Sequence, residues 1–301
     1  MPPVRCCGSM AYDAAAQQVM LFGGGNGGNY PALRYNDTWF FSAKTGWFQV
    51  FPATSPSPRQ GAGIAYDPTT GTIVLFGGFD SNDVDLNDTW TWNGKTWTQQ
   101  FPPVSPPARK IDTQGLSYDA ANGTVLMFGG FNGTNENITL LQDTWEWNGR
   151  AKTWTQKFPA ASPPPTSPTL AYDARHGEVL LFAGGSGDTT YLNQTWTWNG
   201  ITWTQLFPDA SPLPRALNSM AYDATIGYVV LFGGTPGFPQ AFNDTWIWTG
   251  SSWVQIPTPY QPSARFASAL AFDPYLNGMI LFGGYLAGDI LANQTWIFSL
   301  L

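Results

Sequence analysis

The side chains best suited to chemistry in this chain of 301 residues are a short run of acids, Asp80, Asp83 and Asp85, followed by Asn87. In an extended loop, alternate residues can turn several oxygens toward one point, which is what a hard cation such as Ca²⁺ takes. The Asp-x-Asp-x-Asn spacing from Asp83 makes calcium the one cofactor expectation, through Asp80, Asp83 or Asp85, with a solvated acidic loop as the alternative. A second set is basic. Arg5, Arg59, Arg215 and Arg265 each stand seven residues before an aromatic that precedes Asp; Arg109 is displaced by a two-residue insertion, and Pro165 takes the sixth place. A guanidinium presents a planar fork of donors to anions or carbonyls. Arg59, Arg109, Arg215 and Arg265 therefore read either as an anion-attracting ring at a channel mouth or as braces for loop carbonyls.

Other chemistry is excluded by what is missing. His176 is the sole histidine and lies in the turn Asp173-Ala174-Arg175-His176-Gly177, so a Ser/His/Asp triad has no place to assemble. Cys6 and Cys7 are adjacent and cannot form a disulfide framework. Gly23-Gly24-Gly25-Asn26-Gly27-Gly28 fits G-x-G-x-x-G, but Asn29-Tyr30-Pro31 follows where a dinucleotide site needs a helix. A net charge of −7 argues against nucleic acid as partner. No run of 18 apolar residues provides a membrane-inserting helix.

The elements that must position these residues come from a repeat. Phe-Gly-Gly ends at Gly24, Gly78, Gly130, Gly234 and Gly284, with Phe182-Ala183-Gly184-Gly185 filling the gap. Asn-Asp-Thr-Trp or a near variant ends at Trp39, Trp90, Trp145, Trp196, Trp246 and Trp296. Tyr-Asp ends at Asp13, Asp67, Asp119, Asp173 and Asp223, with Phe272-Asp273 sixth. Each unit reads as four strands. In the second unit these are Gly63 to Asp67, the continuous apolar run Ile73 to Phe76, the alternating Thr89-Trp90-Thr91-Trp92, and Lys95 to Gln99. A two-residue turn at Asn93-Gly94 would pair Trp90 with Trp97, Trp196 with Trp203 and Trp246 with Trp253. Pro-rich stretches such as Phe101-Pro102-Pro103 then leave the sheet for the next unit.

Four-stranded units at a period near 50 residues predict an all-β, six-bladed β-propeller of antiparallel blades. The di-Gly after the second strand and the Trp pairs Trp39/Trp47, Trp90/Trp97, Trp196/Trp203 and Trp246/Trp253, with Trp145/Trp154 wider, resemble the kelch family over essentially the whole chain. The resemblance implies a ring of radially packed blades, here at about 5–52, 59–102, 109–159, 166–208, 215–257 and 265–301 in one domain. The last blade has no sequence for a fourth strand after Trp296-Ile297-Phe298, so its edge is expected to be open or covered by a partner.

Residues present in every unit are expected to serve the fold. Every aromatic at a repeat position is placed inside, and the Asp of both Asp-bearing motifs, Asp37, Asp88, Asp143 and Asp244 included, is expected to accept backbone N–H bonds at turns. Function then falls to the variable loops between second and third strands, which share a face with the crossovers. Tyr30, Tyr191, Phe238 and Tyr285 are the candidate ligand anchors there, with the four arginines nearer the channel. The expected function is a non-enzymatic module that binds a protein or glycan on this face. Two alternatives stand beside it: a lyase or glycosidase using variable-face carboxylates, and a structural repeat of a longer protein. A composition poor in Lys and Glu and rich in Thr, Asn and Trp points to an extracellular or cell-surface setting.

Overall fold

A computed structural model describes residues 1–27, 33–111, 114–134, 137–185, 190–257 and 261–300, with the side chain of residue 183 excepted. Each repeat folds into one antiparallel sheet with its strands in chain order. Sheet one comprises Ser9–Asp13, Gln18–Phe22, Thr38–Ser42 and Gly46–Val50. Sheet two comprises Gly63–Asp67, Thr72–Phe76, Thr89–Trp92 and Trp97–Gln100. Sheet three comprises Leu116–Asp119, Thr124–Phe128, Thr144–Asn148 and Thr153–Lys157. Sheet four comprises Ser167–Asp173, Glu178–Gly185, Tyr191–Trp198 and Trp203–Leu206. Sheet five comprises Ser219–Asp223, Tyr228–Phe232, Thr245–Trp248 and Trp253–Ile256. Sheet six has three strands, Ala269–Asp273, Gly278–Phe282 and Thr295–Phe298. The first strands stand side by side around a central channel, and that of sheet six packs against that of sheet one, so the ring of a β-propeller closes.

The second strands lie between neighbouring sheets, which is why they are continuously apolar: Ile73, Val74, Leu75 and Phe76 are all fully buried. Between adjacent sheets the second-strand Phe meets the fourth-strand Trp of the next sheet edge-on. The pairs are Phe22–Trp97, Phe76–Trp154, Phe128–Trp203, Phe182–Trp253 and Phe282–Trp47, all with ring centroids 5.1–5.2 Å apart. Such pairs contribute about 0.5–1.5 kcal/mol each beyond the area they bury. The same indoles donate Nε1–H to the Thr of the Thr-Trp pair in the preceding sheet's third strand: Trp97 to Thr38 at 3.0 Å, Trp154 to Thr89 at 2.8 Å, Trp203 to Thr144 at 3.0 Å, Trp253 to Thr195 at 2.9 Å and, across the closure, Trp47 to Thr295 at 2.7 Å. One side chain thus supplies both the apolar and the polar half of each of these five seams.

The di-Gly has an equally local cause. Gly77 and Gly78 both adopt positive φ, and a Cβ would lie 2.8 Å from the Arg109 carbonyl oxygen at the first and 2.7 Å from that of Gln60 at the second. The close approach lets Gly78 N–H donate to the Arg109 carbonyl at 2.9 Å, tying one sheet to the crossover that begins the next. At the ring closure the same stitch joins Gly284 N–H to the Arg5 carbonyl at 2.9 Å.

Two expectations need correction. The Trp pairs are Trp92↔Trp97, Trp198↔Trp203 and Trp248↔Trp253, so Trp90, Trp196 and Trp246 oppose Gln99, Gln205 and Gln255 instead. Asn93 Oδ1 accepts the N–H groups of both Lys95 and Thr96 at 3.0 Å, which builds a four-residue loop and shifts the register by two. Nor are all repeat aromatics interior. No Trp is exposed, but Phe51, Phe101, Phe158 and Phe207 are 82–84% exposed, because the Pro that follows each one leads the chain off the sheet. The open edge is as expected: among the described residues Thr295–Phe298 pairs only with Gly278–Phe282, and residues 1–8 add no strand there.

The seam bonds are testable singly. Thr144→Val leaves the Trp203 indole N–H buried without its acceptor and should lower stability by about 1–3 kcal/mol. Thr144→Ser keeps the hydroxyl and should retain most of that difference, as read from urea denaturation midpoints.

Candidate functional site

The arginines do not line the channel mouth. Arg59 grips Asp88 with two bonds of 2.5 and 2.8 Å, Arg109 grips Asp143 at 2.6 and 2.7 Å, and Arg215 grips Asp244 at 2.6 and 2.8 Å. Arg5 and Asp37 make the same fork at 2.7 Å. Each Nη1 also donates to the carbonyl of the first di-Gly residue, as Arg59 does to Gly77 at 3.0 Å. With 0–1% exposure, Arg59, Arg109, Arg215 and Arg265 cannot reach a ligand, and the expectation that they bind one is corrected. The Asp of Asn-Asp-Thr-Trp is likewise no turn cap: its second oxygen accepts the indole N–H two residues on, at 2.7 Å in each case. Turn capping belongs to the other motif, where Asp67 accepts Thr69 N–H and Asp223 accepts Thr225 N–H.

The electrostatics follow from this clamp. Burial alone would raise the carboxyls of Asp88 and Asp143, but the hydrogen bonds and charge of Arg59 and Arg109 outweigh it and hold both below the ordinary carboxylate value. The sequence did carry a signal for the pairing. The repeat with Pro165 in place of Arg also has Gln194 in place of Asp, so both charges are lost together. Sheet six breaks the match: Arg265 faces Gln294 at 3.0 Å, and burial without a carboxylate lowers its pKa to about 10.

With the arginines committed, the variable face offers an apolar cup of about 430 Å³ lined by Phe131, Ile138, Leu140, Tyr191, Leu217 and Phe238, with Ser167 and Thr235 as its polar side chains. Strand pairing holds two of its walls. The ladder of Phe131–Asn132 with Thr139–Leu140 forms one side, and Tyr191, paired with Gly185, extends the third strand of sheet four to form another. Tyr191 also lines an adjoining groove of about 480 Å³ with Leu213, Pro214, Pro236 and Phe242, so it stands between two concavities. Phe238 is 60% exposed and meets Phe266 edge-on at 4.9 Å. Phe266 in turn stacks on Tyr285 at 5.2 Å. Of the expected anchors, the structure brings Tyr191 and Phe238 together. Tyr285 is a strut: its hydroxyl donates to the Gly27 carbonyl at 2.7 Å, and burial beside Cys6 and Cys7 pushes the phenol pKa up. Tyr30 lies outside the described residues. The apolar loop residues Ile138, Leu140 and Leu217 were not anticipated, although the run Ile138-Thr139-Leu140-Leu141 is unusual for a solvated loop.

The acidic loop does not assemble a cation cage. Asp80 Oδ1 accepts Asn82 and Val84 N–H within its own turn, Asp83 pairs with Arg34, and Asp85 accepts Gly133 N–H at 2.6 Å with Lys110 at 3.4 Å. The three carboxylates are drawn to three partners, and among the described residues no cluster of three metal-ligating groups forms.

The opposite mouth of the channel was also misjudged. The half-buried rings of Tyr12, Tyr66, Tyr118, Tyr172, Tyr222 and Phe272 line a cavity of about 360 Å³. Burial, with the neighbouring turn carboxylates, raises the phenols. Gln114, carried by the insertion that displaced Arg109, reaches across the channel floor. Its Nε2 donates to the Leu270 carbonyl at 2.6 Å and its Oε1 accepts Met220 N–H at 2.5 Å.

Comparison with known proteins places these features. A family model described as the KLHDC2/KLHL20/DRC7 Kelch-repeats domain matches residues 8–223. Over 135 residues the chain is 30% identical to tRNA wybutosine-synthesizing protein 4 of Emericella nidulans, a match spanning 42% of this chain and 12% of that protein. The chain thus corresponds to a small part of that relative's length. The solved structure of YjhT superposes with a TM-score of 0.75 at 15% identity, covering 99% of this chain and 96% of that one, which is a likeness of fold.

Because the folded pKa values of Asp88 and Asp143 are depressed, the clamps contribute fully above the unfolded carboxylate value and are lost as pH falls through the folded one. Denaturation midpoints should hold steady near neutrality and drop below about pH 4, and Asp143→Asn should cost about 3 kcal/mol at neutral pH by leaving Arg109 unpaired. Millimolar Ca²⁺ should leave the melting temperature unchanged; a rise abolished by Asp85→Asn would restore the cation reading of the acidic loop.

Proposed function

The chain belongs to the kelch-repeat family, and on that basis we propose that it is a non-enzymatic binding module whose variable face receives a peptide segment of another protein. The observation that carries the reading is the apolar cup around Tyr191 and Phe238. A cup of this size admits one large aliphatic or aromatic side chain, and full burial of such a side chain is worth about 1.5–3 kcal/mol. Its walls are held by strand pairing and, in sheets three and five, by the Arg109–Asp143 and Arg215–Asp244 clamps, which lowers the ordering cost that opposes binding.

The same lining favours a peptide over a glycan. Sugar hydroxyls need several fixed donors and acceptors, and among the described lining residues only the hydroxyls of Ser167, Tyr191 and Thr235 are polar side-chain groups. It also favours binding over catalysis. No described carboxylate lines the cup, and general acid–base work needs one within about 3 Å of the reacting atom.

Peptide display against the immobilised protein tests this. Selected peptides should carry a large apolar residue, and Tyr191→Ala and Phe238→Ala should each weaken them by about 1–2 kcal/mol, roughly tenfold, without changing the melting temperature. Lys95→Ala, on the exposed hairpin of the other face, should change neither. Tyr285→Ala should lower the melting temperature, since it removes the strut to Gly27. Peptides that ignore Tyr191 and Phe238, or a protein that binds glycans alone, would defeat the reading.

A further inference from the structure

The repeat builds two rings of aspartate, and one of them is neutralised by arginine. Asp37, Asp88, Asp143 and Asp244 each hold a guanidinium. The turn carboxylates at the opposite mouth of the channel, Asp13, Asp67, Asp119, Asp173, Asp223 and Asp273, are 0–2% exposed. Each accepts the backbone N–H two residues on, a bond that favours the charged form. Among the described residues Asp173 alone of the six has an ion-pair partner, His176 at 2.7 Å. Buried negative charge without a counter-ion is costly, and around a concave mouth its field draws in cations. The rings of the mouth stand in that field. Burial raises each phenol, and so do two flanking carboxylates, one from its own sheet and one from the sheet before. These are Asp273 and Asp13 at Tyr12, Asp13 and Asp67 at Tyr66, and Asp67 and Asp119 at Tyr118. They are Asp119 and Asp173 at Tyr172, and Asp173 and Asp223 at Tyr222. Arg150 at Tyr118 and Arg175 at Tyr222 act in the opposite sense and are outweighed.

We infer that this mouth is a binding site for an organic cation with an alkylated ammonium head. On the axis a repeat converges, so residues that recur in every sheet make one site there. The residue before each ring is small, Ala11, Ala65, Ser117, Ala171, Ala221 and Ala271 in turn, which leaves the space behind the rings open. Gln114 crosses its floor, and the cavity of about 360 Å³ has the size of a small-molecule site. Tyrosine and phenylalanine rings attract cations through their electron-rich faces, most strongly where water is displaced. A hard metal ion is a poor occupant. It takes a shell of oxygens, whereas the turn carboxylates are already held by N–H groups and the cavity wall is aromatic and aliphatic. An alkylated ammonium suits both the apolar wall and the negative field. Two sources carry this head, a free quaternary amine and a trimethylated lysine side chain. The site lies on the other face from the cup and does not rest on the reading of the cup.

The probes are choline and its neutral isostere, the alcohol with tert-butyl in place of trimethylammonium, titrated by calorimetry at constant ionic strength. Choline should bind saturably, and the alcohol about tenfold more weakly or worse. Tyr118→Leu and Tyr172→Leu should each weaken choline about fivefold, while Tyr118→Phe, which keeps the ring, should bind it as the parent does. Melting temperatures of the free variants guard against misfolding, and the comparison of choline with the alcohol needs no variant at all. A short acetylated peptide with a central trimethyllysine is the second arm. Binding tighter than choline assigns the head group to a modified protein, and weaker binding assigns it to a free amine. Tyr191→Ala should leave choline binding unchanged, so failure of the cup and failure of this site are distinguishable. Equal binding of choline and the alcohol would make the mouth a merely apolar hollow and overturn the proposal. So would the lack of saturable heat with millimolar choline, or a folded Tyr172→Leu that binds choline as the parent does.

Discussion

The buried guanidinium–carboxylate clamp is the constraint on which the molecule turns. It joins three segments far apart in sequence: the crossover that carries Arg, the di-Gly that ends the second strand, and the Asp that begins the third. Such a pair is costly to desolvate, and leaving either charge alone is costlier still. That accounts for the joint loss of Arg and Asp in the fourth repeat. It also makes the sixth, where Arg265 retains its charge against Gln294, an exception within the molecule. Because the Asp also holds the indole two residues on, the third strand is fixed in rotation before its Thr meets the neighbouring sheet. Most of the variable loops spring from this braced layer, while Tyr191, in the repeat without a clamp, is held instead by its strand pairing with Gly185.

Much of this was readable beforehand. Sheet number, strand order, the channel-side position of the first strand and the unpaired edge of the last sheet all follow from three markers recurring at one period. What was lost is informative. The Trp register slipped because Asn93 was read as a bare turn residue, whereas its side chain accepts two backbone N–H groups and lengthens the loop. The arginines were placed at the channel mouth because their partners lie 29 residues or more away, in another motif, and pattern reading along the chain has no distance in space.

The site was legible in part for a similar reason. Tyr191 and Phe238 stood out as aromatics that break the repeat, which is a property of single positions. The cup they line is a property of three neighbouring loops at once, with Ile138 and Leu217 reaching it from sheets that the sequence does not show to be adjacent there. The acidic loop failed in the opposite sense. Its spacing suited a cation, but nearby cations and backbone donors, Arg34, Lys110 and the Gly133 N–H, took each carboxylate separately.

Gln114 acquires a mechanical meaning from the seam it touches. Its amide bonds the inner strands of sheets five and six, and the junction of those two sheets is the one whose rim lacks an indole. Load that would pry the two sheets apart is met away from the axis by Phe232 against Phe298 and by the Gly234 N–H bond to the Arg265 carbonyl, and at the hub by Gln114. A single side chain from the far side of the ring, reaching over the axle like a spoke in tension, opposes that splitting. The toroid is thus braced from within at the junction whose seam holds no indole among the described residues.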